Sequence, residues 1–101
     1  MCEKIYTIDE IKQIAVPIAE QHGVDALYLF GSYARGEATE GSDIDFRIEK
    51  GRIRSLYQLA DFQIALEQGL DKELDVLTTP MLSEKFLKRI GSEEVLVYER
   101  G

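Results

Sequence analysis

Residues Leu27–Ile48 read LYLFGSYARGEATEGSDIDFRI. The stretch holds a short apolar run, a Gly31-Ser32 pair, ten intervening residues and then Asp43-Ile44-Asp45 inside a second, alternating run. Ala26–Phe30 is apolar and stops at a glycine, which predicts a buried strand. Gly31–Gly36, with glycines at both ends and Ala34 between, predicts a tight turn into one or two helical turns. Glu37–Gly41 is polar and predicts an exposed loop. In Ser42–Glu49, Ile44, Phe46 and Ile48 alternate with Asp43, Asp45, Arg47 and Glu49, the pattern of a strand with one buried face.

The flanking sequence supplies the rest of a mixed α/β arrangement. Thr7 followed by Glu10 is a capping box. The apolar spacing of Ile8, Ile11, Ile14/Ala15, Ile18 and Ala19 predicts a helix over about 8–21, with Gly23 as its stop and Pro17 as a point of kinking or splitting. His22 falls at its C-terminal end, where a cation or a cap is favourable. Ser55 to Gln58 is a second capping box, and the helix after it is expected to carry Leu56, Leu59/Ala60, Gln63 and Leu66/Glu67 and to stop at Gly69. Glu73–Thr78 predicts a third strand. Thr79-Pro80 predicts a helix start with proline at the first position, with Leu82, Phe86 and Ile90 as the stripe and Gly91 as the end. Glu94–Glu99 predicts a terminal strand. No repeat, low-complexity segment or linker divides the 101 residues, which predicts one domain over 1–101.

Composition narrows the function classes. A chain of this length buries roughly two-thirds of its unfolded surface, enough for a core. No apolar run reaches the roughly 20 residues of a membrane span, and the N-terminus lacks the charged-then-apolar pattern of a signal peptide. The one cysteine, Cys2, has no internal disulfide partner, which fits the cytoplasm. A formal net charge of −7 disfavours holding DNA or RNA through many phosphate contacts and suits divalent cations or a basic protein partner.

The residues permit a specific chemistry. Backbone N–H groups at a strand-to-helix junction such as Gly31-Ser32 are unpaired and favour an anion. Glycine allows close approach of a phosphate, and the Ser32 hydroxyl adds a donor. Asp43 and Asp45, two apart on a strand, project from one face with Cα atoms about 6.5–7 Å apart. Such a pair repels itself unless a cation intervenes, and oxygen ligands of this kind suit Mg²⁺ together with substrate phosphates. A phosphate cradle beside a cation site is what a metal-bound nucleoside triphosphate requires, and two-metal displacement at phosphorus calls for a third acid. Asp75, set between Leu74 and Val76, is that acid, with Glu73 on the same face as the alternative.

The run LFGSYARGEATEGSDIDFRI resembles the signature of the minimal nucleotidyltransferases, a branch of the DNA polymerase beta-like superfamily: Gly-Ser, ten residues, Asp-x-Asp, then a third acid on a later strand. The resemblance continues through LDVLTT to the terminal VLVYE and covers most of the chain. It implies an α/β (α+β) nucleotidyltransferase fold, a small mixed sheet of about four strands flanked by helices. It further implies that Gly31 and Ser32 hold the triphosphate of ATP, and that Asp43, Asp45 and Asp75 bind Mg²⁺, two ions in all. Family members often place arginine directly after Gly-Ser; here the residue is Tyr33. Arg35 remains, either to contact phosphate or to pair with a surface acid. Small stand-alone members of the family are commonly antitoxins paired with a HEPN-domain ribonuclease toxin, and some transfer AMP from ATP to a toxin tyrosine. That is the function the resemblance implies here. The rivals are a non-catalytic antitoxin that neutralises its partner by binding, and a nucleotide-sensing regulator.

Overall fold

Thr7 opens the first helix with both halves of the expected capping box, its hydroxyl accepting the Glu10 amide at 3.1 Å and the Glu10 carboxylate accepting the Thr7 amide at 2.9 Å. This is a computed structural model that describes residues 5–100, so the expectation for Cys2 lies outside the described residues. The helix, α1, runs Ile8–His22 and ends on a left-handed Gly23. Pro17 does not split it. The proline and Gln13, whose carbonyl loses its partner, both lie on the exposed side, where water can take the vacant acceptor.

β1 is Ala26–Phe30, and Gly31 leads directly into a four-residue helix, α2, Ser32–Arg35. β2 is Ile44–Glu49, with Ile44, Phe46 and Ile48 fully buried and the charged positions between them on the other face. β3, Leu74–Thr78, and β4, Val95–Glu99, complete a four-stranded sheet in the order β3-β2-β1-β4. β1 runs antiparallel to both β2 and β4, whereas β2 and β3 are parallel, so the sheet is mixed as expected. The parallel pair needs a crossover, and the helix α3 between β2 and β3 provides it.

α3 spans Leu56–Leu70 and departs from the expected pattern in two ways. Its buried residues are Phe62, Leu66 and Leu70, whereas Leu56 is 75% exposed. Two apolar rows overlap in this helix, and the sheet selects the one carrying the phenylalanine, whose burial is worth roughly 2–3 kcal/mol. Gly69 is not the stop. It lies inside the helix, where an added Cβ would meet Ile18 Cδ1 at 3.0 Å and Ile14 Cγ2 at 3.1 Å, so it permits close approach of α1; the chain turns instead at Asp71, with φ at 50°. Ser55 caps Gln58 as expected, but the Gln58 side chain accepts from Arg54 rather than closing the box on Ser55.

The helix expected from Thr79 onward is broken in two. Thr79–Met81 is a short 3₁₀ turn containing Pro80, and α4, Glu84–Gly91, starts afresh with Ser83 capping Phe86. The core lies between the sheet and the α1/α3 pair and includes Ile11, Leu27, Leu29, Phe46, Phe62 and Leu66. His22, at the end of α1, packs against Phe62 with ring centroids 5.3 Å apart, a structural contact. No helix among the described residues is long and apolar enough to cross a membrane.

Candidate active site

The C-terminal end of β1 and the N-terminal ends of β2 and β3 lie side by side. Phe30 is the register partner of Asp45, and Asp45 is the register partner of Asp75. A residue directly after β1 is therefore a neighbour of Asp45, and Gly31 occupies that place. Its φ of 79° and ψ of −155° belong to a region open essentially to glycine alone. A Cβ added there would come within 2.5 Å of Asp45 Oδ2. The Gly-Ser turn and the acidic strand are thus in direct contact. Ser32 opens α2, half-buried, and its hydroxyl makes no hydrogen bond within the described residues.

Asp43 sits just before β2 rather than in it, because the β2–β3 ladder begins at the pair Ile44 and Leu74. The expectation that both aspartates stand on the strand is corrected to one on the strand and one at its lip, exposed. Asp45 is half-buried. Burial pushes its carboxyl up to about 6, helped by the neighbouring charges of Asp75 and Asp43 and opposed by Arg35. Between the two alternatives for a third acid, the register sets Asp75 beside Asp45 and leaves Glu73 outside the strand, directly before β3. Asp75 is exposed. Among the described residues, no group of three or more His, Cys, Asp or Glu side chains is arranged to hold a metal ion. The donor chemistry nonetheless suits a hard cation: the ligands are oxygens, and the like charges around Asp45 are what a cation would relieve.

Tyr33 is a core residue, 3% exposed, and its buried hydroxyl has no hydrogen-bond partner among the described residues. The position after Gly-Ser points inward here, away from where a phosphate-facing cation would act. Arg35 pairs with surface acids: Nε donates to Glu37 at 2.8 Å and Nη1 to Glu93 at 3.1 Å. On the β3 flank, a cavity of about 510 Å³ is lined by Glu40, Asp43, Glu67, Asp71, Lys72 and Glu73.

The sequence reading missed Arg47 and the turn that holds it. Arg47 lies two residues past Asp45 on the same face of β2, its side chain 12% exposed. It bonds Glu94 through both Nε (2.5 Å) and Nη2 (3.0 Å), donates Nη1 to Glu49 and Thr79, and lies 4.2 Å over the Tyr28 ring. One signal for it stood in the sequence, a lone cation alternating with three acids along Asp43–Glu49.

Comparison with known proteins agrees with this fold. Residues 10–101 match the family described as Polymerase beta, Nucleotidyltransferase. A candidate protein adenylyltransferase of Methanocaldococcus jannaschii is 45% identical over 88 residues, covering 87% of this chain and 95% of the relative. The protein adenylyltransferase MntA of Thermococcus cleftensis is 33% identical over 95 residues, covering 90% and 96%. A solved structure of a tri-AMPylated Shewanella oneidensis HEPN toxin in complex with an MNT antitoxin contains a chain of the same fold, with a TM-score of 0.70 at 14% identity over 93% of this chain and 74% of that one. Fold and site define a nucleotidyltransferase. The chain belongs to the polymerase beta nucleotidyltransferase family.

Proposed function

We propose that this nucleotidyltransferase is an antitoxin of the cytoplasm that transfers AMP from ATP to a hydroxyl, a tyrosine's, on a HEPN-type toxin. The observation that carries the reading is the contact between Gly31 and Asp45, with Asp75 the next residue across the sheet. It sets an anion cradle against a carboxylate cluster, the two features a metal-bound triphosphate needs. Further support comes from the relatives named protein adenylyltransferase and from a partner of the same fold that is held with an AMPylated toxin.

In this reading residues 1–101 act as one domain. The amides at Gly31 and Ser32 and the Ser32 hydroxyl hold the phosphates, while Arg35 offsets their charge. Asp43, Asp45 and Asp75 hold Mg²⁺, two ions in the full site. Bound there, the metal would neutralise charge on the phosphoryl oxygens and on the departing pyrophosphate. Asp75, exposed at the β3 edge of the cluster, is placed to accept the proton of the attacking hydroxyl. The oxygen of that hydroxyl bonds to the α-phosphorus, the bond to the bridging oxygen breaks, and pyrophosphate leaves with the electron pair. The acceptor's bulk is supplied by the partner protein. Incubation with α-labelled ATP and a HEPN-type partner tests the reading: label is expected on the partner with the unaltered protein and absent with Asp43→Asn or Asp45→Asn. A partner that binds tightly and stays unlabelled would instead support the non-catalytic antitoxin.

A further inference from the structure

We propose that Glu93 is a positioning residue of the nucleotide site, aiming the Arg35 guanidinium at the polyphosphate. The inference rests on the reading above in one respect, that Arg35 meets phosphate. Arg35 is a long side chain, 43% exposed, at the end of a four-residue helix, and left to itself it would spread over several rotamers. Two carboxylates restrain it. Glu37 takes Nε and Glu93 takes Nη1, so two sides of the planar fork are fixed. The third, Nη2, has no hydrogen-bond partner within the described residues, and the Arg35 amide donates to the Gly31 carbonyl at 3.1 Å, which sets the residue one turn of α2 from the Gly31–Asp45 contact. The clamp leaves one pair of N–H donors free on a residue anchored to the Gly-Ser turn.

Glu37 lies in an exposed loop and is 66% exposed, which makes it a weak anchor. Glu93 is better fixed. The amides of Glu93 and Glu94 both donate to the Ile90 carbonyl at 2.9 Å, locking the turn between α4 and β4. The next residue, Glu94, grips Arg47 through two hydrogen bonds, with 12% and 11% of the two side chains exposed. Arg47 belongs to the same strand as Asp45, two positions along. The contacts therefore close a ring: β2 to Glu94 through Arg47, Glu94 to Glu93 through the backbone, Glu93 to Arg35, and Arg35 through its amide to Gly31, which lies against Asp45. Through that ring the position of Arg35 is referred to the strand that carries the reaction centre. A guanidinium ordered beforehand binds an anion without losing further side-chain freedom, and the usual cost of ordering one such side chain corresponds to about ten-fold in affinity.

The test is ATP binding by titration calorimetry with Mg²⁺ present, using Glu93→Gln and Glu93→Ala, each in the unaltered and the Arg35→Ala backgrounds. Both Glu93 variants lose the charge, and they differ in whether an acceptor remains for Nη1, so the ratio of their dissociation constants reads the aim alone. We expect Glu93→Ala to bind ATP about five-fold more weakly than Glu93→Gln, and the ratio to fall to one when Arg35 is alanine, because the effect passes through that side chain. Equal affinities for the two variants, or a ratio that survives without Arg35, would overturn the proposal. Thermal melts of all variants separate a folding defect from a loss of aim. Because the readout is nucleotide binding, failure to label a partner would count against the transfer reading and leave this inference standing.

Discussion

Gly31 and Asp45 are in such close contact that a single methyl group at Gly31 would stand 2.5 Å from the Asp45 carboxylate oxygen. The glycine is also held at φ 79° and ψ −155°, so two independent constraints exclude a side chain. Gly31→Ala is expected to cost about 1–3 kcal/mol from backbone strain, with the clash in addition. Because relief of the clash moves Asp45 or the turn, ATP binding should fall even where the fold survives. A melt paired with nucleotide titration checks both.

Asp45 carries the opposite cost. Its carboxyl is raised from the ordinary aspartate range to about 6, by burial first and then by Asp75 and Asp43. A carboxyl that holds its proton more tightly in the folded state than in the unfolded one favours folding at low pH. This contribution is fully present below about 4 and is lost as pH rises toward about 6. Asp45→Asn should therefore raise the melting temperature of the metal-free protein at pH 7 and abolish transfer, a gain in stability at the expense of function. Melting curves at pH 4.5 and pH 7, with and without Mg²⁺, read it out: Mg²⁺ should raise the midpoint of the unaltered protein more than that of the variant.

Tyr33 presents, in a core position, a buried hydroxyl with no partner among the described residues. Tyr33→Phe removes a desolvated polar group and keeps the ring, so stability should hold or rise by up to about 1 kcal/mol. Transfer should be unchanged, since the side chain is buried in the core. Denaturant unfolding and a labelling assay on the same preparation decide it.

Glu94 and Arg47 are a nearly buried pair on the outer face of the sheet. Glu94→Ala strands the guanidinium, although Glu49 and Thr79 still accept from it. The expected loss is about 2 kcal/mol, the lower end for breaking a desolvated pair, and denaturant unfolding measures it.

These contacts show which parts of the molecule the sequence carried. β1 was legible to the residue, Ala26–Phe30, and so was the buried face of β2, because alternation and a closing glycine are local signals. The juxtaposition of Gly31, Asp45 and Asp75 was legible as a pattern, through ten residues of spacing and a family signature. The lost parts depend on contacts between distant segments. Leu56 and Phe62 offered α3 two apolar rows, and only the sheet chooses between them. Gly69 reads as a helix stop until α1 is seen lying against it. Arg35 had two equal uses in the sequence, and the partner that restrains it, Glu93, lies 58 residues away. Asp43 slipped off the strand because the ladder starts where β3 starts, which alternation within β2 does not encode.

The central claim is adenylyl transfer to a partner protein, and the most direct measurement is the intact mass of a HEPN-type toxin co-expressed with this chain. The account predicts a gain of one or more AMP units with the unaltered protein and none with Asp43→Asn or Asp45→Asn. A toxin of unmodified mass held in stable complex with the unaltered protein would contradict it.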